Sequence, residues 1–320
     1  MKEKPMKLGF TVPQFGPDAG PDALLEVARL AEDLGSDSLW VAERLLYPLN
    51  PKSPYPATAD GSLPFAYRRS LDPLAILAYL AAATSRVRIG AFINLPFHNP
   101  VLLARELGTI DVLSQGRLDI GLGVGWSADE LEAVGVPMRE RGRRAEEALR
   151  VLEAIWHDNP VGFEGRYFRV PESYFDLKPV QEARPPIYMP AYKPAAMSRV
   201  AHLADGWIPT GLPIEAMEQM FASIKQAAAE AGRDPSSLKL IVIGHPEFHP
   251  EPLGEDRQIF AGSAEQIEAD IVATRRLGAD ELIFNALFSP DIGSTDDLLS
   301  RMEQLWTMAR RSEYVFEARR

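Results

Sequence analysis

Two short stretches of the sequence carry side chains that could do acid–base or charge-stabilising chemistry. Glu43 and Arg44 directly follow the apolar run "DSLWVA", while Asn94 and His98 lie where "RVRIGAFINL" runs into "PFHNP". Arg44 stays protonated and could hold an anionic or enolate-like oxygen. His98 titrates nearest to neutral pH and could act as an acid or a base. An ion pair for Arg44 and a purely structural loop position for His98 are the alternatives.

The composition narrows the classes of function. The chain has 320 residues, 46% hydrophobic and 25% charged, which is typical of a globular protein with a sizeable core. Its net charge of -11 argues against nucleic acid as a partner, and it has no run of about 18 apolar residues to span a membrane. The absence of cysteine excludes disulfides and a cysteine nucleophile. We therefore expect a cytoplasmic enzyme with a small-molecule substrate.

Apolar runs alternate with amphipathic segments along the whole chain. The predicted strands are 7–12, 37–42, 86–95, 116–124, 186–190, 206–210, 238–244 and 281–286. The predicted helices are 21–35, 72–84, 100–114, 127–157, 194–204, 213–232, 263–278 and 294–312. Ser127 with Glu130, and Ser263 with Gln266, predict capping boxes. Eight alternating pairs predict one α/β domain over 1–320, a (β/α)8 TIM barrel, with a doubly wound sheet as the main rival.

Two long segments interrupt this alternation. Residues 45–70 are proline-rich and aromatic and follow the second predicted strand, and residues 159–185 precede the fifth. Loops of this length in a compact domain are usually functional or disordered. Because residues 45–70 follow a strand, we expect an ordered insertion at the carboxyl end of the barrel, where barrel active sites lie.

In the stretch "GRLDIGLGVGW", one face of the predicted strand ends in three glycines. Gly121, Gly123 and Gly125 point one way, opposite the apolar residues that alternate with them. The spacing is GxGxG and not the dinucleotide-binding GxGxxG. Strand glycines often mark close packing or the approach of a ligand. The pattern leaves two interpretations, close packing inside the barrel or a flat cofactor over the end of the strand.

The stretch "MPAYKPAAM" ends the fifth predicted strand. A helix beginning near Pro194 points its free backbone N–H groups at whatever lies above it. Lys193 adds a positive charge, so the sequence offers a phosphate site here, with a solvated lysine as the alternative.

One stretch, "GHPEFHP", has metal-like spacing. His245, Glu247 and His249 share a face if the chain is extended there. Pro246 and Pro250 argue against a regular strand, and no further cluster completes a set of ligands. We therefore predict no metal.

The order of these segments resembles a known family. The text "GSDSLWVAERL", the block "VLLARELGTIDVLSQGRLDIGLGVGW" and the stretch "PPIYMPAYKPAAMSRVAHLADGWIP" are similar to the bacterial luciferase-like superfamily. The similarity covers nearly the whole chain and points to the branch that depends on coenzyme F420, a deazaflavin. FMN-dependent monooxygenases share the same block.

The resemblance implies a (β/α)8 barrel, usually a homodimer, with the cofactor at its carboxyl end. It implies a non-prolyl cis peptide at Phe92–Ile93, where the third strand backs the cofactor ring, and a phosphate-binding loop. The cofactor-binding residues that it implies are Phe92, Ile93, Asn94, Gly123, Gly125, Trp126, Ala191, Tyr192 and Lys193.

The resemblance also implies hydride transfer between F420 and a small organic substrate, with Arg44, Asn94 and His98 as candidate catalytic residues. Arg44 replaces a histidine that several F420-dependent dehydrogenases carry after the second strand, and Trp126 replaces an acid. The alternatives are a monooxygenase that uses reduced FMN and dioxygen, and a protein that binds a flavin without turnover.

Overall fold

The computed structural model describes residues 5–58 and 60–318, and only the backbone of 312–318. Within these residues the strands are β1 (Lys7–Thr11), β2 (Ser38–Ala42), β3 (Arg88–Asn94), β4 (Leu118–Gly123), β5 (Val161–Glu164), β6 (Arg169–Ser173), β7 (Ile187–Met189), β8 (Gly206–Trp207), β9 (Lys239–Gly244), β10 (Glu247–Phe248), β11 (Ala261–Gly262) and β12 (Glu281–Phe284). Eight of these strands form a closed parallel barrel in the order β1-β12-β9-β8-β7-β4-β3-β2. The predicted (β/α)8 barrel is confirmed.

The helices in the described residues follow the predicted pattern with one exception. They are α1 (Pro21–Leu34), α2 (Pro73–Ala83), α3 (Pro100–Leu113), α4 (Ala128–Ala133), α5 (Arg141–His157), α6 (Pro194–Leu203), α7 (Ile214–Glu230), α8 (Ala264–Arg276) and α9 (Thr295–Ala318). The single helix predicted over 127–157 is wrong, since α4 and α5 are separate. Gly135, with a φ of 71°, ends α4, and Pro137 follows in the turn.

The two faces of β4 separate as the alternation predicts. Leu118, Ile120 and Leu122 are each 0% exposed and form the apolar face of the strand. Asp119, Gly121 and Gly123 share the other face and pair in register with β3. The two glycines of β4 therefore lie beside Phe92 and Asn94 of β3.

The contacts divide the chain into two compact units. One contains the chain up to Pro13, Gly20–Trp40 and everything from Tyr188 onward, and the other contains Gln14–Ala19 and Val41–Ile187. The segment before β7 includes the antiparallel hairpin of β5 and β6. No helix in the described part of the chain is both long enough and apolar enough to cross a membrane.

Candidate active site

Glu43 links the carboxyl ends of β2 and β3. Its backbone N–H donates to the carbonyl oxygen of Phe92 at 3.1 Å, and its Oε2 accepts from the N–H of Asn94 at 2.6 Å. Its Oε1 lies 2.6 Å from Nε2 of His98, which must donate because a carboxylate only accepts. The Glu43 side chain is 3% exposed. One buried acid therefore holds both candidate residues, Asn94 and His98; the sequence singled out Glu43 by its place after the second predicted strand but assigned it no specific role.

The environment of His98 favours its charged form. Burial lowers the pKa of His98, but the hydrogen bond and the charge of Glu43 outweigh burial and raise that pKa above its usual 6.5. Since Nε2 donates to Glu43, this nitrogen has no lone pair with which to take a proton from a substrate.

Arg44 lies in a buried ion pair. Its Nη1 is 3.2 Å from Oε2 of Glu130, and the two side chains are 9% and 1% exposed. The guanidinium also lies over the rings of Trp126 and Tyr67, at 4.8 and 5.6 Å from their centroids. The structure thus places Arg44 in the ion-pair arrangement that the sequence left open.

Glu130 explains why one predicted capping box is incomplete. Ser127 Oγ accepts from the N–H of Glu130 at 3.3 Å, which is half of the motif. The Glu130 side chain does not return to Ser127, because its Oε1 accepts from the N–H of Leu45 at 2.8 Å and its Oε2 faces Arg44. The box of Ser263 and Gln266 at α8 is complete, as predicted.

An aromatic cluster surrounds Arg44. Tyr55 in the insertion lies 5.3 Å from Trp126 and 5.7 Å from Tyr67, measured between ring centroids. The hydroxyl groups of Tyr55 and Tyr67 are 2.8 Å apart, and burial raises the pKa of Tyr67. The expected ordered insertion is therefore present and packs its aromatic rings around this arginine.

The side chains of neighbouring segments occupy the glycine face of β4. A Cβ at Gly121 would lie 2.5 Å from Cδ1 of Phe92, and one at Gly123 would lie 3.0 Å from Oδ1 of Asn94. These are the registered partners of the two glycines on β3. A Cβ at Gly125, whose φ is 74°, would lie 3.4 Å from the ring of Phe97. The close-packing interpretation describes this face.

The expected cis peptide at Phe92–Ile93 is wrong. The cis bond found in the described residues is Asn159–Pro160. Strand β3 keeps an unbroken register with β4 from Ile89 through Asn94, and a regular parallel ladder uses trans peptides.

The loop between β7 and α6 carries the predicted phosphate residues. Ala191 is buried and accepts a hydrogen bond from Nε1 of Trp207 at 3.0 Å, while Tyr192 and Lys193 are exposed. Pro194 occupies the first turn of α6, as predicted. In the described part of the chain, no acceptor pairs with the backbone N–H of Tyr192 or Lys193. Free donors and a lysine thus stand at the start of a ten-residue helix.

The three residues with metal-like spacing separate. Nε2 of His249 lies 3.0 Å from Oε1 of Glu247, whereas Nε2 of His245 lies 2.8 Å from Oγ1 of Thr210. No group of three or more possible metal ligands occurs among the residues that the structure describes.

The family model described as luciferase-like monooxygenase matches residues 6–252. The chain belongs to this family. An uncharacterized protein of Mycobacterium tuberculosis is 32% identical over 280 residues, which cover 87% of this chain and 90% of that protein. An F420-dependent glucose-6-phosphate dehydrogenase of Kineococcus radiotolerans is 29% identical over 259 residues, 78% of this chain and 70% of that enzyme. The predicted resemblance is confirmed.

A solved structure shows the same fold. The monooxygenase RslO1 of Streptomyces bottropensis aligns with a TM-score of 0.77 and 22% identity, over 95% of this chain and 98% of its own. This luciferase-like protein is an oxidoreductase, and its relatives include an F420-dependent dehydrogenase.

Proposed function

We propose that this luciferase-like oxidoreductase uses coenzyme F420 and transfers a hydride between the deazaflavin and a small organic substrate. The observation that supports F420 most directly is the 29% identity to an F420-dependent dehydrogenase over 78% of the chain. We propose further that it works in the cytoplasm as a homodimer, the assembly that the family resemblance implies.

The β7–α6 loop fits the phosphate that F420 and FMN both carry. The unpaired N–H groups of Tyr192 and Lys193 supply donors, and the Lys193 side chain and the start of α6 supply positive charge. When bound, a deazaflavin accepts or donates a hydride at C5 and does not readily react with dioxygen. The protein's part is to bind, orient and exclude water.

The carboxyl ends of β2 and β3 supply positioning residues. Glu43 fixes the backbone at Asn94 and keeps the proton of His98 on Nε2, so neither group moves freely. Tyr55, Tyr67 and Trp126 cover the Arg44–Glu130 pair with apolar ring surface, which excludes water from its charges. We assign these residues to the architecture of the site and not to proton transfer.

The deciding experiment is a fluorescence titration of the purified, cofactor-free chain with F420 and with FMN. We expect F420 to bind at least about tenfold more tightly, a difference of about 1.4 kcal/mol. Lys193→Gln should weaken the binding of both cofactors by about fivefold, because a charge at a helix start contributes about 1 kcal/mol.

The matched control is Lys239→Gln. Lys239 lies at the amino end of β9 and pairs with Asp280 at 3.1 Å, so its replacement should leave both affinities unchanged. A preference for FMN, together with oxygen uptake driven by reduced FMN, would overturn the proposal in favour of a monooxygenase.

A further inference from the structure

The insertion over 45–70 exposes several large apolar side chains at the carboxyl end of the barrel. It directly follows β2, and its exposed apolar side chains are Leu45, Leu46, Leu49 and Phe65. Leu49 is 92% exposed and Phe65 is 71% exposed, so the described protein covers little of either. Single exposed apolar residues are normal, but several in one segment indicate an interaction surface. We call these four residues the apolar tip.

Hydrogen bonds join the two arms of the insertion. The hydroxyl of Tyr47 donates to the carbonyl of Leu63 at 3.4 Å, which brings the first arm next to the residues before Phe65. The backbone N–H of Tyr55 donates to the carbonyl of Gly61 at 2.8 Å. The residues of the apolar tip therefore belong to one structured segment and not to two separate loops.

The charge of the insertion is opposite to that of the whole chain. Its charged residues are Lys52, Arg68, Arg69 and Asp60, which give a net charge of +2 in a chain of net charge -11. Lys52 is neutralised by Glu132 of α4. Arg68 and Arg69 are exposed on the second arm, and no carboxylate of the described residues pairs with either of them.

The two arginines lie directly beside the apolar tip. The guanidinium of Arg68 is 4.9 Å from the centroid of the Phe65 ring. Arg69 donates to the carbonyls of Gly16 and Pro17 at 3.1 and 2.7 Å, which fixes its position without neutralising its charge. An arginine can lay its stem along an apolar surface and keep its charged head among polar groups.

The backbone of the insertion loses little when water is excluded. Positions 48, 51, 54, 56 and 64 are proline, which has no N–H to leave without a partner. The N–H groups of Leu45, Lys52 and Tyr55 are bonded within the protein. The insertion can therefore enter an apolar surrounding at a smaller cost than a loop with more free N–H groups.

We propose that the insertion over 45–70 docks on an anionic lipid surface, with the apolar tip below the headgroups and Arg68 and Arg69 among the lipid phosphates. A protein bound in this way lies on the membrane and needs no spanning segment. Its affinity comes from the buried apolar surface together with the attraction of its cations to anionic lipids. Because the insertion follows β2, docking brings the carboxyl end of the barrel to the membrane.

The test measures sedimentation of the purified chain with vesicles of phosphatidylcholine alone and of equal parts phosphatidylcholine and phosphatidylserine. We expect tighter binding to the mixed vesicles, which weakens as the salt is raised from about 0.1 to about 0.5 M. Leu49→Ser and Phe65→Ser should each weaken binding at least about tenfold, because each removes apolar surface from the lipid. Arg68→Gln should weaken binding about fivefold, and only to the mixed vesicles.

Two matched controls change exposed residues elsewhere on the protein. Val180→Ser corresponds to Leu49→Ser, since Val180 is 58% exposed and lies beside Gly116, in the turn before β4 at the amino end of the barrel. Arg150→Gln on α5 corresponds to Arg68→Gln. Both controls should bind vesicles as the wild type does, and urea unfolding shows whether each variant is folded.

Three results would overturn the inference. They are no binding to either kind of vesicle, equal binding to both kinds, and binding that Leu49→Ser leaves unchanged. A dimer that Leu49→Ser dissociates would also overturn it, because a second copy of the chain would then cover the apolar tip. The experiment uses no cofactor, so its result is independent of the proposed F420 function.

Discussion

Glu43 uses all of its polar atoms at the ends of two strands. Its N–H and its two carboxylate oxygens bond to Phe92, Asn94 and His98, and its carbonyl accepts from Nε of Arg44 at 3.0 Å. At Ala42, the residue before Glu43, the backbone N–H and carbonyl both bond to the side-chain amide of Gln14. A single buried carboxylate therefore sets the geometry that two candidate site residues share.

We predict that Glu43→Gln lowers the pKa of His98 below 6.5. Without the carboxylate, burial is the dominant influence on the imidazole and favours its neutral form. Because the wild-type pKa is raised on folding, this histidine stabilises the wild type fully below pH 6.5. That stabilisation is lost as the pH rises through the folded pKa.

The measurement is a histidine NMR titration, combined with urea unfolding at several pH values. The control is Glu106→Gln, which removes a weaker charge near His98 and leaves the Glu43 hydrogen bond intact. An unchanged pKa in Glu43→Gln would contradict this account of His98.

The pairing of β3 with β4 places a large side chain opposite each small one. Phe92 faces Gly121 and Asn94 faces Gly123 in register, and a Cβ at either glycine would press on its partner. In the other compact unit, Gly9 pairs in register with Ser38, and a Cβ at Gly9 would strike the Ser38 hydroxyl. Glycine thus makes room for the neighbouring strand's side chain.

We predict that Gly121→Ala destabilises the fold by about 1–3 kcal/mol, the usual cost of overpacking a core. The new Cβ would lie 2.5 Å from the Phe92 ring, which must leave its position. Gly254→Ala is the control, since a Cβ there meets nothing within 4 Å, and it should change stability by less than about 0.5 kcal/mol. In a urea-unfolding double-mutant cycle, Phe92→Ala should cost less in the Gly121→Ala background, and strict additivity would refute the contact.

The insertion over 45–70 is anchored to α4 by acids of that helix. Lys52 pairs with Glu132 and donates its backbone N–H to Asp129 at 2.8 Å, and Glu130 holds Leu45 and Arg44. The pairs differ in burial, because Glu130 is 1% exposed whereas Glu132 is 66% exposed. Only the buried pair of Arg44 and Glu130 should contribute strongly to holding the insertion in place.

We predict that Glu130→Gln lowers the free energy of unfolding by about 3 kcal/mol, because it leaves the Arg44 charge buried and unpaired. Glu132→Gln on the same helix should cost at most about 1 kcal/mol, as exposed ion pairs usually do. Limited proteolysis should cut residues 45–70 faster in Glu130→Gln than in Glu132→Gln. Equal cleavage rates would contradict the anchoring role of Glu130.

The barrel can be predicted from the sequence because the patterns that indicate its strands and helices are local. Eight strand patterns, the two faces of β4 and the capping box at Ser263 follow from residues that are near one another along the chain. The break between α4 and α5 also has a local cause, because Gly135 and Pro137 are residue types that end helices and both lie in the turn.

The site was harder to predict because its contacts are long-range. The Glu130 side chain pairs with Arg44, 86 positions earlier in the sequence, and does not complete the capping box with Ser127. His245 bonds to Thr210, whereas His249 bonds to Glu247. Which side chain fills the space over Gly121 depends on strand register, which periodicity does not determine. Helix starts could be predicted, but partners across strands could not.

The registered pair of Phe92 and Gly121 also has an evolutionary consequence. A larger residue at position 121 alone would clash with Phe92, and a smaller residue at position 92 alone would leave a void. We therefore expect a substitution at one position to be accompanied by a compensating substitution at the other. Among relatives with this barrel, we expect the two side-chain volumes to vary inversely, with their sum nearly constant. The pair should be inherited as a unit, even where the substrates of the enzymes have diverged.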